Sequence, residues 1–402
     1  MTNICLYFHV HQPQLLRHYT FFDIDHDHVY EDKERNLKRL NIVSEQCYLP
    51  ANSVVLDLIT RYKGNFRIAF SITGILLDQL EKHRADVLDS FTRLADTGCV
   101  EFIGETYYHS FAFLFSAREF REQAMLHKNR IKTLFGQNPR TFRHAGLIYN
   151  NDLAKIVEKM GYHIILAHGA DKVSGWSSPH YVYQPAGCKK LKLLLRSDRL
   201  SGDITLRFSN AQWSEYPLFA DTYASWIHAM HGTGDVINLA IDYQIFGEHG
   251  RKESGIYEFM RLLPREILKH PDFKFLTPAE IARNLDPVAQ LDVRDSVACA
   301  DGENDISDWL GNSLQRDAVA SLYGMEAKLR RRKDEELLRT WRLLQESENF
   351  YYMCTKGLAN GDEHTFPNPY GSPYDAYINY MNIIDDFSGI LDKKRSSTNE
   401  GA

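Results

Sequence analysis

Along roughly the first 285 residues, apolar runs of strand length alternate with spans of helical period. ICLYFHVHQ (4–12) reads as a strand beginning almost at the first residue, and a long loop, 13–49, follows it. Helical period occupies 52–62, FRIAFSITG (66–74) is a second strand, and 76–96 is helical again. VEFIGET (100–106) is the third strand. Ser116-Ala117-Arg118-Glu119 forms a capping box for a helix running to Phe135, stopped by Gly136 and Pro139. TFRHAGLIYNN (141–151) couples a short fourth strand to a helix over 152–160, and HIILAHG (163–169) is the fifth strand. LKLLLRS (191–197) and ITLRFSN (204–210) are weaker strand candidates. A helix over 217–231 leads into the apolar run VINLAIDYQIF (236–246), and a helix over 255–270 precedes FKFLTPAEI, where Thr277, Pro278 and Glu280 start another. Apolar strands separated by helices predict a parallel sheet covered on both faces, either a barrel or an open doubly wound sheet.

The pattern changes after about Leu285. Residues 313–359 read as helical throughout, with a dense charged run, KLRRRKDEELLR (328–339), of the kind that forms a solvated helix face. A loop spans 367–373, and 374–391 suits a last helix. The expected division is a β/α domain over 1–288, a helical domain over 289–391 and a disordered tail over 392–402.

Composition narrows the function classes. A net charge of −6 offers no basic field to nucleic acid, and no apolar run approaches the length a membrane span needs. The start, MTNICLYFHVHQ, lacks the basic and apolar regions of a signal peptide. Six scattered cysteines without a CxxC argue against a disulfide framework or a cysteine zinc site. Together these point to a cytoplasmic protein, with the oligomeric state left open. The 22 Tyr, 22 Phe and 5 Trp are enough for a core and for a few stacking positions in a sugar cleft.

Candidate chemistry gathers where strands end. On a strand, His9 and His11 point to the same face. They suit a metal, if Asp23, Asp25, His26, Asp27 or His28 of the following loop supplies further ligands; they equally suit hydroxyl recognition or plain core hydrogen bonding. Gly104-Glu105-Thr106-Tyr107-Tyr108-His109 closes the third strand. Asp242 leaves a buried apolar strand, a costly place for a carboxylate unless it is paired or working, and Gly247 permits a turn bringing Glu248 and His249 back toward it. Trp309 sits among polar residues in Asn304–Asn312, where it serves either as an anchor or as a ligand platform.

In this order the segments HVHQP, GETYYH, FRHAGLIYNN, DYQIFGEH and NDISDWLGN resemble the five conserved regions of glycoside hydrolase family 57, and within it the α-amylase group. The similarity continues through CYLPANSVV and RSDRLSGDITLRFS. The resemblance implies an incomplete seven-stranded TIM-like β/α barrel followed by a C-terminal helical bundle. It also implies action on α-glucan or malto-oligosaccharide by a retaining mechanism, with no required cofactor or metal. One carboxylate attacks the anomeric carbon and the other serves as acid and then base. The acid/base position carries over to Asp242. The nucleophile position carries over to Gly146, which has no side chain. His11, His109, Glu248, His249 and Trp309 fall at positions suited to holding the glucan. Where the family pattern has Asn-Thr and Glu-Thr, this chain has His144-Ala145 and Gln244-Ile245.

Three expectations follow. The first is a glucan-binding protein with hydrolysis weak or lost, since binding and bond cleavage use separable parts of a site. The second is an active hydrolase or glucanotransferase with a relocated carboxylate, Glu105 or Glu248. The third is a metal-dependent hydrolase such as a deacetylase, built on His9, His11 and the 23–28 loop.

Overall fold

The computed structural model describes residues 1–169, 178–247, 254–299, 304–356 and 368–393. Its strands are β1 (Thr2–Val10), β2 (Ile68–Ile72), β3 (Val100–Phe102), β4 (Thr141–Arg143), β5 (Ile164–Ala167), β6 (Val182–Pro185), β7 (Lys192–Leu195), β8 (Val236–Asp242), β9 (Phe273–Phe275) and β10 (Ala289–Leu291). One sheet runs β3-β2-β1-β8 with β9 also on β1, and the other runs β10-β6-β7-β5-β4. All pairings are parallel except β6 with β7. Backbone bonds connect the two sheets. Gly104 donates to Thr141 (2.8 Å) and Arg143 to Gly104 (2.8 Å), while Ser197 donates to Asn238 (2.8 Å). Strand neighbours therefore run β8-β1-β2-β3-β4-β5-β7 and return to β8.

Alternation along β1 sorts its side chains between two environments, as the period of two requires. Ile4, Leu6, Phe8 and Val10 join the large apolar cluster built with the covering helices, where Val55, Leu58, Tyr223 and Leu263 are also buried. Cys5 and Tyr7 face the other way, among Ala69, Ile103, Leu166 and Ala240. Register places His9 beside Ser71 of β2 and Asp242 of β8, so the inward row turns polar at the carboxyl ends of the strands.

The chain forms two compact units that interleave along the sequence. One comprises Met1–Gln12, Leu37–His109 and Arg118–Asp305; the other comprises Pro13–Asn36, Ser110–Ala117 and Ile306–Ala402. In the second unit, the helices Ser313–Gly324 and Pro373–Asp392 pack together. No described helix is long and apolar enough to cross a membrane.

Several expectations change. Residues 204–210 are not a strand: Asp203–Arg207 is helical, held by the Arg207–Asp203 ion pair one turn apart and by Thr205 Oγ1 donating to the Ser201 carbonyl (3.0 Å). The 76–96 helix is two helices, Gly74–His83 and Ala85–Asp96, broken at Arg84 where φ is −141° and ψ 59°. The 313–359 span also breaks, at Lys333, whose φ is +50°. Asp392 closes a helix rather than opening a tail, and Lys393 Nζ reaches Asp25 at 3.0 Å; the remaining tail residues, 394–402, lie outside the described residues. The Thr277–Glu280 capping box forms as expected.

Candidate functional site

In the first unit, the ends of β1, β3, β4 and β8 deliver a cluster of ionisable side chains. His9 Nδ1 lies 3.1 Å from Asp242 Oδ1. His11 Nδ1 lies 3.0 Å from the Thr73 hydroxyl, and His109 Nδ1 lies 3.2 Å from Glu105 Oε2. The three imidazoles stack, with ring centroids 5.8 Å apart for His9 and His11, 5.0 Å for His9 and His109, and 4.3 Å for His11 and His109. His109 reaches its place through a left-handed backbone, φ +51°, which is uncommon outside glycine.

Glu105 is wholly buried and is held by the Ser71 hydroxyl at 2.6 Å as well as by His109. Burial raises its pKa, but the His109 hydrogen bond and the charges of His9, His109 and Arg143 prevail and hold it well below the usual carboxylate range. Asp242 has the same balance: removal from bulk water is outweighed by the His9 bond and by the charges of His9, Arg143 and Arg196, giving a pKa of about 2. Its side chain is nevertheless 53% exposed, so it is the carboxylate a ligand can reach. His9 is lowered to about 4, by burial first and Arg143 second. At neutral pH it is an uncharged imidazole donating Nδ1–H to Asp242, which leaves Nε2 as an acceptor.

Gly146 follows β4 in a left-handed conformation, φ 58° and ψ 15°, and its carbonyl accepts the Cys299 N–H at 2.8 Å. His144, beside it, is buried with Nδ1 3.0 Å from the Ala145 carbonyl oxygen; burial depresses it to about 3, too low to carry a charge at neutral pH. The other departures from the family pattern also have structural partners. Gln244 Nε2 donates to the His11 carbonyl at 2.7 Å, and Ile245 is buried in the helix-facing core.

A second group stands at the ends of β5 and β7. His168 Nδ1 lies 2.9 Å from Asp198, Arg196 Nη1 lies 3.1 Å from Asp198, and the same nitrogen lies 3.3 Å from Cys299 Sγ. His168 is raised to about 10: burial lowers it, and bonds to Asp198 and Cys299 overcome that. A cavity of about 660 Å³ opens here, lined by His168, His180, Ser197, Asp198, Trp226 and Asn304. Asp242 does not line it; Arg196, next to Ser197 in the chain, is the charged link between the two groups.

Of the residues expected at the site, His9, His11, His109, Glu105 and Asp242 come together, with Gly146 bonded to Cys299 of the second group. Glu248 and His249 lie outside the described residues. Trp309 belongs to the second unit, packed against Phe111 (5.3 Å) and Tyr351 (6.3 Å). Most of the acidic loop's expected ligands have ion-pair partners instead. Asp23 and Asp27 pair with Arg17, Asp25 with Lys393, and His28 with Asp386. Sequence reasoning missed Arg143, Arg196 and His168. The available signal was a charged or polar residue at or just beyond a strand's carboxyl end.

Comparison with known proteins places the fold and the family. A 4-alpha-glucanotransferase from Thermococcus litoralis superposes with a TM-score of 0.60 at 14% identity, over 94% of this chain but only 55% of that one, so the chain spans little more than half of that enzyme. A GH57 branching enzyme from Thermococcus kodakaraensis gives a TM-score of 0.71 at 12% identity, covering 96% of this chain and 89% of that one. The alpha-amylase AmyC of Thermotoga maritima gives 0.64 at 13% identity, covering 97% and 94%. At these identities the likeness is one of fold. In sequence, a Methanocaldococcus jannaschii protein named "Putative alpha-amylase" is 39% identical over 397 residues, covering 94% of this chain and 83% of that one. The family profile described as Glycosyl hydrolase family 57 matches residues 5–294. On that match the chain belongs to glycosyl hydrolase family 57.

Proposed function

We propose that the chain is an α-amylase-like member of the family that binds α-1,4-glucan or malto-oligosaccharide in the cytoplasm and hydrolyses it weakly or not at all. On this reading, residues 1–288 are an incomplete seven-stranded TIM-like barrel, a ring the strand neighbours support, and 289–391 are the helical part. Asp242 is the acid/base, and His11, His109, Glu248, His249 and Trp309 contact glucan. The observation that carries the proposal is Gly146, which has no side chain and which the resemblance of FRHAGLIYNN to the family's third conserved region sets at the nucleophile position. The electrostatics of the site point the same way: an acid catalyst works best with a pKa near the working pH, whereas the His9 bond and nearby positive charges favour ionised Asp242.

Glu105 is the described candidate for a relocated nucleophile, and its complete burial argues against that role. A metal-dependent hydrolase, such as a deacetylase, is a second reading with its own observation: donor atoms of His9, Glu105 and His109 all lie within 4.8 Å of one another. Stoichiometric zinc in the purified protein would favour that reading.

The deciding experiment is reducing-sugar release from soluble starch and maltoheptaose by wild type, Gly146→Glu and Asp242→Asn, alongside maltoheptaose binding. Silent wild type with binding, and activity gained in Gly146→Glu, is the expected result. Wild-type turnover abolished by Asp242→Asn would overturn the loss of hydrolysis, and absence of binding would overturn the glucan assignment.

A further inference from the structure

Within the first unit, near the carboxyl ends and inward rows of the strands, lies a set of buried polar atoms for which the described residues provide no partner. Arg143, the last residue of β4, is 94% buried (6% relative exposure), and its Nε and Nη1 make no hydrogen bond. Tyr7 Oη and both side-chain polar atoms of Asn238 are likewise buried and unpartnered. The three belong to one interior. Tyr7 and Asn238 lie on the inward row of β1 and β8, and the Arg143 charge acts on Tyr7, His9, Glu105 and Asp242 together.

The two carboxylates near Arg143 do not take its N–H groups. Glu105 is bonded to Ser71 and His109, and Asp242 is bonded to His9. A guanidinium stays charged at any ordinary pH, and a buried, charged donor without an acceptor is unfavourable. Its planar fork matches the two oxygens of a carboxylate. Arg196 adds a second positive charge that acts on the same Tyr7 and Asp242. Three residues beyond Arg143, Gly146 bears no side chain, and through Cys299 its main chain adjoins Arg196.

We infer that this interior receives the carboxylate of a ligand, bound by Arg143, so that the saccharide taken by the site is an acidic sugar or binds together with a small free carboxylate. The inference rests on reading this face as a saccharide site; a free carboxylate would bind alongside the proposed glucan, whereas an acidic sugar would replace it as the ligand. Tyr7 Oη and Asn238 supply further donors around such a group. Neutral His9, with Nε2 free to accept, suits a hydroxyl of the same sugar.

The test is calorimetric titration of the full chain at pH 7 with sodium formate, sodium glucuronate and neutral maltotriose, at ionic strength matched with sodium chloride. Wild type is expected to bind glucuronate or formate, with affinity at least tenfold weaker in Arg143→Gln. Glucuronate without formate identifies a sugar acid, and formate binding identifies a free carboxylate; either supports the proposal. Arg143→Lys keeps the charge and loses the fork, so it guards against misfolding of the glutamine variant and is expected to weaken binding as well. Gly146→Glu, which supplies an internal carboxylate, is expected to lose the added one. No carboxylate binding to wild type, or binding within twofold of wild type in whichever Arg143 variant folds, overturns the inference. Maltotriose reads the glucan proposal separately: carboxylate bound with maltotriose ignored would refute neutral glucan as the ligand while leaving the acidic class standing.

Discussion

His9 Nδ1 and Asp242 Oδ1, 3.1 Å apart across adjacent strands in register, tie the ionised carboxylate of this site to an imidazole that donates to it. The His9 ring is lowered to about 4 and Asp242 to about 2, so near pH 7 the pair is an uncharged donor and a carboxylate. Replacing His9 with Phe removes the donor and leaves the desolvation. The Asp242 titration is then expected to move upward from about 2 toward or beyond the ordinary carboxylate range, readable by carbon NMR of a labelled aspartate. An unchanged midpoint would show that His9 does not hold the proton off Asp242.

Gly146 stands at φ 58°, a backbone region disfavoured for residues bearing a Cβ. A side chain here costs about 1–2 kcal/mol of stability. Gly146→Ala and Gly146→Glu are both expected to lower the urea midpoint by a comparable amount, the Ala variant with no gain in reducing-sugar release. If Gly146→Ala is as stable as wild type, the local backbone relaxes and the left-handed turn is not a constraint on refilling the position.

Acid sensitivity has a calculable sign. His9 and His144 titrate at about 4 and about 3 in the folded chain, below the free imidazole value near 6.5. The unfolded chain therefore binds more protons as pH falls below 6.5, and stability declines with it. By the time pH reaches the folded value, the loss is on the order of 3 kcal/mol for His9 and on the order of 4 kcal/mol for His144. His168 has the opposite sign. Raised to about 10, it stabilises the fold below 6.5, and that contribution fades as pH climbs to 10. Denaturation midpoints across pH 4–10 are expected to fall at both ends, and His168→Asn is expected to flatten the alkaline limb alone. An alkaline limb unchanged in that variant would remove the His168–Asp198 pair as its source.

Much of the first unit was legible because strand and helix periods differ so plainly. β1 and β8 are near-continuous apolar runs, and Thr277, Pro278 and Glu280 form a local start signal that needs no tertiary help. The family segments named His11, His109 and Asp242, and the structure brings these segments together, with His9 bonded to Asp242 and the three histidine rings stacked. Arg143 was not legible as an interior charge, since its direction depends on how β4 joins β3 at Gly104. Residues 204–210 look extended by composition, but Asp203–Arg207 is helical, and Asp203 and Ser201 bond one turn on to Arg207 and Thr205. The histidines and aspartates of 13–49 resembled ligands for the same reason: sequence shows side-chain chemistry but not that Asp386, some 360 residues away, already engages it.

That engagement yields a stability prediction in the second unit. Asp386, wholly buried on the helix Pro373–Asp392, accepts from the Asp25 N–H (2.7 Å), the Tyr30 hydroxyl (2.6 Å) and His28 Nδ1 (2.7 Å). Burial raises its pKa, and the bonds from Tyr30, Asp25 and His28 lower it further than burial raises it. Its contribution is therefore present above the unfolded carboxylate value and is lost as pH falls through the folded one. Asp386→Ala leaves a backbone N–H, a hydroxyl and an imidazole without their shared acceptor, at an expected cost of about 3 kcal/mol. Asp386→Asn keeps the shape and one carbonyl oxygen, so roughly half that loss is expected, on the scale of ordinary hydrogen bonds. Urea unfolding of both variants at pH 7 measures the difference, with protease susceptibility near residues 25–30 as a local readout. Equal stability of wild type and Asp386→Ala would mean that the loop is held by its apolar contacts, Tyr19 against Tyr30 foremost, and that the buried carboxylate is incidental to it.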